Sequence, residues 1–226
     1  MSLKFRYAFF DFDGVIVDSE PIRLNTYKKL FEIIYGINVE IDNNIFVGRS
    51  EKDNLYNLLN LHDLDSDEET INKLRKIRSE MLIKEANKSF PVITNTCIII
   101  EELKSKRIPM TIVSNSSRRY IITALKSIGM NVNYFHIIAG DEITNPKPNP
   151  ECYLKALRQC SCLNRDALAF EDSHSGIEAA RAAGIETVAV NSTFEKCSLK
   201  AKYHLRVKKM KSEVNKILSL FGEKYA

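Results

Sequence analysis

Five short apolar runs recur along the chain: FRYAFF at 5–10, MTIVS at 110–114, FHIIA at 135–139, ALAFE at 167–171 and TVAV at 187–190. Most are continuous instead of alternating with polar residues. A strand that reads this way is covered on both faces, the condition of parallel strands packed between helices. Helical patterns separate the later runs. Residues 117–128 end at Gly129, residues 150–160 begin with Pro150, and residues 175–183 end at Gly184. Proline in a first turn and glycine just past a last one suit helix starts and stops. Strand and helix alternate from about residue 97 onward, which predicts a doubly wound α/β parallel sheet.

The stretch between the first two strands has a different period. Residues 19–35 carry Tyr27, Leu30, Phe31 and Ile34 at helical spacing, and Gly36 follows as a stop. Ser50 begins S-x-x-D ahead of Leu55, Leu58 and Leu59, a start resembling a capping box. Ile71, Leu74, Ile77, Met81 and Leu82 form another apolar stripe. No strand is predicted here. The expected organisation is an α/β core domain made of residues 1–17 and 91–226, with a helical domain inserted at 18–90.

Composition bounds the function classes. A chain of 226 residues, 44% hydrophobic and 27% charged, has the make-up of an ordinary globular protein of one or two domains. Net charge is +4, from 33 basic and 29 acidic residues, too mild to imply nucleic acid. The late cluster of Lys196, Lys200, Lys202, Arg206, Lys208, Lys209 and Lys211 reads as a solvated face. No apolar stretch approaches the ~18–20 residues of a membrane span, and Asp11 interrupts the first apolar run, so neither a membrane nor a signal peptide is expected. Five cysteines, an odd number, suggest reduced thiols and a cytoplasmic location. Cys160 and Cys162 form a C-x-C with no second pair, which does not favour zinc. A monomer or weak homodimer is expected.

In an open parallel sheet, ligands bind beyond the carboxyl ends of the strands. Asp11 and Asp13 follow the first strand. Ser114-Asn115-Ser116-Ser117 ends the second, just before a helix. The third leads through Gly140 and Asp141 to NPKPNP, which holds Lys147, and the fourth ends in Glu171-Asp172. The clustered carboxylates Asp11, Asp13, Asp172 and Glu171 would repel one another unless a divalent cation lay between them, and all-oxygen ligands suit Mg²⁺. Ser114 and the amides of the helix beginning near Ser116 can bind phosphate oxygens. Lys147 supplies a positive charge that balances acids and a phosphoryl group alike. A carboxylate nucleophile among such groups describes phosphoryl transfer. Each element alone has a plain structural reading: D-x-D-G as a turn, Ser114 as a helix cap, Lys147 as a loop lysine, Glu171-Asp172 as a complement to a helix dipole.

Together, DFDGVIVDSEP, TIVSNSS, NPKPNP and FEDSHSGIEAARAAG resemble the four motifs of the haloacid-dehalogenase-like hydrolase superfamily. The branch is that of small phosphatases and β-phosphoglucomutase-like mutases with a helical cap. The resemblance spans nearly the whole chain. It implies a Rossmann-like core and a mobile cap inserted after the first strand. It further implies Asp11 as the nucleophile that forms an aspartyl-phosphate and Asp13 as the general acid/base. Ser114 and Lys147 match phosphate-contacting positions, with Asn115 nearby through its backbone. Asp172 matches the main Mg²⁺ carboxylate, beside Asp11 and the backbone carbonyl of Asp13. Glu171 matches a position that either binds the metal or supports its ligands. Gly14 lets the chain turn tightly past the site. Haloacid dehalogenases proper lack the second aspartate of D-x-D, so Asp13 argues for phosphoryl transfer.

The expected activity is therefore that of a Mg²⁺-dependent phosphatase acting on a small phosphorylated metabolite, such as a sugar phosphate. A sugar-phosphate mutase is the alternative, and two departures weaken it. Mutases of the branch carry a histidine twelve residues after the nucleophile, where this chain has Arg23. They also carry an arginine in the cap for the distal phosphate, where VGRSEKD puts Glu51, although Arg49 or Lys52 could substitute. Glu51 is expected to repel a distal phosphate. A receiver-like phospho-aspartate signalling domain fits less well, because it has no helical insertion. A non-catalytic binding protein is disfavoured because every motif residue is present. His174, at a variable position of the fourth motif, is expected to face solvent or cap a helix.

Overall fold

The computed structural model describes residues 5–42, 50–88, 90–191, 201–206 and 211–221. Its sheet comprises β1 (Tyr7–Phe10), β2 (Met110–Val113), β3 (Phe135–Ile138), β4 (Ala167–Glu171), β5 (Glu186–Asn191) and β6 (Tyr203–Arg206). All neighbours are parallel, in the order β3-β2-β1-β4-β5-β6. The helices are α1 (Glu20–Tyr35), α2 (Glu51–Leu61), α3 (Glu68–Ala86), α4 (Thr94–Ser105), α5 (Arg118–Ser127), α6 (Glu151–Gln159), α7 (His174–Ala182) and α8 (Lys211–Leu218).

Successive strand residues face opposite sides of a sheet, and here both sides are apolar. Ala8, Phe10, Ile112, Leu168 and Phe170 join α4, α5 and α8 in one cluster. Phe9, Val113, Ala167 and Ala169 join α6 and α7 in another. Phe10 lies opposite both Ile112 and Phe170 and stacks on Phe170, with ring centroids 4.5 Å apart. The predicted Rossmann-like α/β class is the observed one. Strand order reverses between β1 and β4, and such a switch point is where sheets of this kind bind their ligands.

One strand is additional to the expectation. β6 lies inside the late basic stretch read as a solvated face, and pairs with β5 from Val188↔Tyr203 onward. Its sequence, YHLR, buries Leu205 while Lys202 beside it is exposed and pairs with Glu186 at 3.0 Å. An edge strand with alternating character leaves no continuous apolar run to read. Lys196, Cys197, Lys200, Lys208 and Lys209 lie outside the described residues. Among the described residues, no helix is long and apolar enough to cross a membrane.

The helices α1, α2 and α3 bury an apolar cluster of their own, centred on Tyr27, Leu30, Phe31, Leu55, Leu58 and Leu74. Helix α2 starts as its sequence indicates, with Ser50 Oγ accepting from Asp53 N at 3.1 Å. The chain leaves the sheet and returns to it side by side. Asp18 N donates to Pro91 O at 2.8 Å and Ile93 N to Ile16 O at 2.9 Å. Within this layer Arg78, 1% exposed, joins all three helices. It donates to Glu51 Oε1 at 2.5 Å and to the Arg23 carbonyl at 2.9 Å, and its guanidinium lies 3.7 Å from the Tyr27 ring centroid. Arg75 adds a second bond to Glu51 at 3.2 Å.

A cation this buried stabilises only while its partners remain, and breaking such a pair typically costs about 3–5 kcal/mol. Arg78→Met should lower the unfolding free energy by about 3 kcal/mol in urea titration, since it strips α1 and Glu51 of a partner and keeps only the packing on Tyr27. A change within about 0.5 kcal/mol would show the network to be incidental.

Candidate active site

The carboxyl ends of β1, β2 and β4 and the loop after β3 converge on one buried lysine. Lys147 Nζ donates to Asp11 Oδ1 at 3.0 Å, to Glu171 Oε1 at 2.6 Å and to the Val113 carbonyl at 2.7 Å. An ammonium has three donors, and all are used. Burial works against its charge, yet Asp11 and Glu171 outweigh that penalty and hold the ammonium above its ordinary range. Its loop is fixed at both ends. Asn115 Oδ1 accepts from Lys147 N at 3.1 Å, and the Glu151 carboxylate at the start of α6 accepts from the amides of Thr144 and Asn145, each at 2.8 Å. Asn115 thus supports Lys147 through its side chain, a role its position in the sequence did not suggest. Ser114, 2% exposed, accepts from Ser116 N at 3.1 Å.

Asp11, Glu171 and Asp172 each present an oxygen within 4.8 Å of the others. Burial, reinforced by Asp11 and opposed by Lys147, pushes Glu171 up to about 7. Burial, with Asp11, Glu171 and Asp13 added, lifts Asp172 well above the carboxylate range. Tyr153 donates to Glu171 Oε1, but Glu171 Oε2 is buried and has no hydrogen-bond partner. An orphaned carboxylate oxygen facing two more carboxylates suits a hard divalent cation. The backbone makes room for this cluster. Gly14, at φ 76°, passes so close to Asp172 that any Cβ would overlap its carboxylate, and a Cβ at Gly176 would overlap that of Glu171. His174 is exposed and lies 3.2 Å from Glu178, facing solvent as expected.

Asp13 corrects an expectation: read as a further carboxylate of this cluster, its side chain lies outside it, in a different environment. Oδ1 accepts from Ser19 Oγ at 2.5 Å and Tyr120 Oη at 2.8 Å, and Oδ2 from Ser116 Oγ at 2.6 Å. Arg23 completes the set, 3.0 Å from Oδ2. Burial raises its pKa, but the guanidinium and the three hydroxyls more than offset this and hold Asp13 below the usual range. Sequence reading missed Ser19, Ser116, Tyr120, Glu151 and Tyr153. The available signal was chemical: a tyrosine in a buried helical stripe needs a partner for its hydroxyl. Glu51 corrects an expectation. Its charge is taken up by Arg75 and Arg78, so it does not stand as an uncompensated repulsive charge. Lys52 is committed to Glu68 at 2.9 Å, and Arg49 lies outside the described residues.

Comparison with known proteins places most of the chain among relatives. Residues 8–190 match the family model described as haloacid dehalogenase-like hydrolase. The phosphorylated carbohydrates phosphatase of Thermotoga maritima is 28% identical over 179 residues, covering 79% of this chain and 82% of that one. The fructose-1-phosphate phosphatase YqaB of Escherichia coli K12 is 27% identical, over 82% of this chain and 97% of its own. A crystal structure of CbbY from Rhodobacter sphaeroides with xylulose 1,5-bisphosphate superposes with a TM-score of 0.78, covering 89% of this chain and 93% of that one. At 20% identity it speaks to the fold alone.

The raised carboxyls set a pH sign. A group that holds its proton more tightly folded than unfolded stabilises the fold below about pH 4, and that contribution disappears as pH rises through its folded value. For Glu171 the loss runs up to about 7. A divalent cation held between the ionised carboxylates would replace the protons. Thermal unfolding should therefore show Mg²⁺ raising Tm by several degrees, more at about pH 8 than at about pH 5.5. Identical shifts at both pH values, or none, would contradict this reading of the cluster.

Proposed function

Because the chain belongs to the haloacid dehalogenase-like hydrolases, we propose that it is a Mg²⁺-dependent phosphatase that hydrolyses a small sugar phosphate through an aspartyl-phosphate on Asp11. The observation that carries the reading is the division of labour between two aspartates two residues apart. Asp11 is bonded to Lys147 at the cation cluster, whereas Asp13 is surrounded by hydroxyls and Arg23. The names of the two phosphatase relatives support a phosphorylated carbohydrate as substrate.

In the first step a carboxylate oxygen of Asp11 attacks phosphorus and the ester P–O bond breaks; Asp13, ionised in the resting site beside Arg23, takes up a proton from solvent once the substrate displaces that guanidinium, and passes it to the departing alcohol oxygen. In the second, Asp13 takes a proton from water, the hydroxyl oxygen attacks phosphorus, and the bond to Asp11 breaks, releasing inorganic phosphate. Ser114, Lys147 and the Asn115 backbone hold the phosphoryl oxygens. Asp11, Asp172 and Glu171, with the backbone carbonyl of Asp13, would hold Mg²⁺. When bound, the ion supplies charge neutralisation for the phosphoryl oxygens. Residues 18–90 act as the cap that shields the aspartyl-phosphate and shapes the pocket. Cys97, Cys152, Cys160 and Cys162 are free thiols, which fits a reducing cytoplasmic setting.

Asp11→Asn should leave the fold intact and reduce phosphate release from an aryl phosphate to below about 1% of wild type, because an amide cannot serve as the nucleophile. Retention of substantial turnover, with deamidation excluded by mass spectrometry, would remove Asp11 from that role.

Hydrolysis should also dominate isomerisation. Among the described residues, the cations around the place of the mutase arginine are already paired with acids, Arg75 and Arg78 with Glu51 and Lys52 with Glu68, so none is held in reserve for a distal phosphate. With β-glucose 1-phosphate and bisphosphate priming, free phosphate should exceed glucose 6-phosphate at least about tenfold. An excess of the isomer would replace the phosphatase reading by the mutase.

A further inference from the structure

Resting on the phosphatase reading, we infer that Arg23 is a specificity-determining residue. It occupies the place of the leaving alcohol on Asp13 and selects phosphate esters whose alcohol carries a further oxygen acceptor beside the ester. A carboxylate offers about four acceptor sites, and those of Asp13 are filled by Ser19, Tyr120, Ser116 and Arg23. For its proton to reach an alcohol oxygen, one partner must yield. Ser19 and Tyr120 are 1% and 4% exposed, and Ser116 sits in the turn between β2 and α5. Arg23 makes the longest of the four contacts, at 3.0 Å, and its side chain is 37% exposed. Ser116 is half-buried as well, but it holds Oδ2 at 2.6 Å, so the longer and more exposed contact of Arg23 is the one an incoming alcohol can replace.

Among the described residues, the displaced guanidinium has no second acceptor at bonding distance. The Arg23 carbonyl accepts from Thr26 Oγ1 at 2.6 Å and from buried Arg78 at 2.9 Å, so the first turn of α1 is pinned at this residue. Among the described residues, Asp13 is the one direct partner of its side chain. Glu51, a carboxylate of the helical layer that acts electrostatically on Arg23, is already bonded to Arg75 and Arg78. Once the alcohol sits on Asp13, the guanidinium has lost its one direct acceptor among the described residues, and the adjoining oxygens of the alcohol can take that place ahead of water. A hydroxyl or carboxylate oxygen next to the ester meets that need, and a plain alkyl group does not. Sites built to bond a substrate oxygen discriminate strongly against analogues that lack it, because the protein donor is then left unpaired.

The test uses leaving groups of matched skeleton: glycerol 3-phosphate against propyl phosphate, and a cyclic sugar phosphate against cyclohexyl phosphate. Phosphate release gives kcat and KM for wild type, Arg23→Met, Arg23→Gln and Arg23→Lys. Wild type should favour the oxygenated member in kcat/KM by at least about tenfold, and Arg23→Met should compress that ratio about tenfold or more. Arg23→Lys should retain part of the preference. Should Arg23→Met fail to fold, Arg23→Gln reads the same ratio. A ratio unchanged by these substitutions, or equal losses on both members, would overturn the role of Arg23 while leaving the phosphatase intact. Absence of phosphate release by wild type from all four compounds and from an aryl phosphate would instead overturn the phosphatase reading, and this inference with it.

Discussion

The ammonium of Lys147 is the charge on which the site depends. Asp11 and Glu171 are buried near a third carboxylate, Asp172, and uncompensated buried charges of one sign are costly. Lys147 lies between two of the three and uses its remaining donor on the Val113 carbonyl. It offsets only part of the negative charge, which is why Glu171 and Asp172 still hold their protons tightly. The residual negative charge and the orphaned Glu171 oxygen are what a divalent cation would satisfy. Three strand ends and two loops must keep their places for one lysine to reach all its partners, so the parallel sheet and the site are a single construction.

Two aspartates separated by one residue have opposite surroundings because the chain turns between them. Asp11 still follows the sheet, with its amide donating to the Phe170 carbonyl at 2.9 Å. By Gly14 the backbone has a positive φ of 76° and passes against Asp172. Asp13, at the start of that turn, is directed to α5 and α1. Its partners come from both layers: Ser116 and Tyr120 from the sheet side, Arg23 from the helical insertion. The carboxylate proposed to move protons is thereby in direct contact with the helical insertion. Arg78 extends the connection, since it grips the Arg23 carbonyl from α3 and Glu51 from α2.

Much of the architecture was legible in the chain. Parallel strands buried on both faces must be apolar throughout, so β1 to β5 stood out as continuous runs, and the residues at their carboxyl ends named Asp11, Ser114, Lys147, Glu171 and Asp172 as neighbours before any coordinates. The helical insertion was readable because its apolar stripes follow the helical period, and Ser50 marked the start of α2. β6 was not readable, because an edge strand with one buried face leaves a pattern too short to distinguish from a charged loop.

Tertiary structure alone decided who meets whom. Tyr120 lies 107 residues from Asp13, and Arg78 lies 27 from Glu51. Nothing in local spacing encodes either contact. Read along the chain, Glu51 was an acid where an arginine was expected, and so a repulsive charge. Packed between α2 and α3 it is an acceptor for two guanidinium groups. Arg23 was likewise visible only as a departure from a pattern, until the helical layer brought it onto Asp13. Periodicity and composition express what each segment buries, and they determine the elements and the sheet edge at which chemistry gathers. The charge state of a side chain depends on neighbours delivered by other segments, and only the packing of one layer against another supplies those.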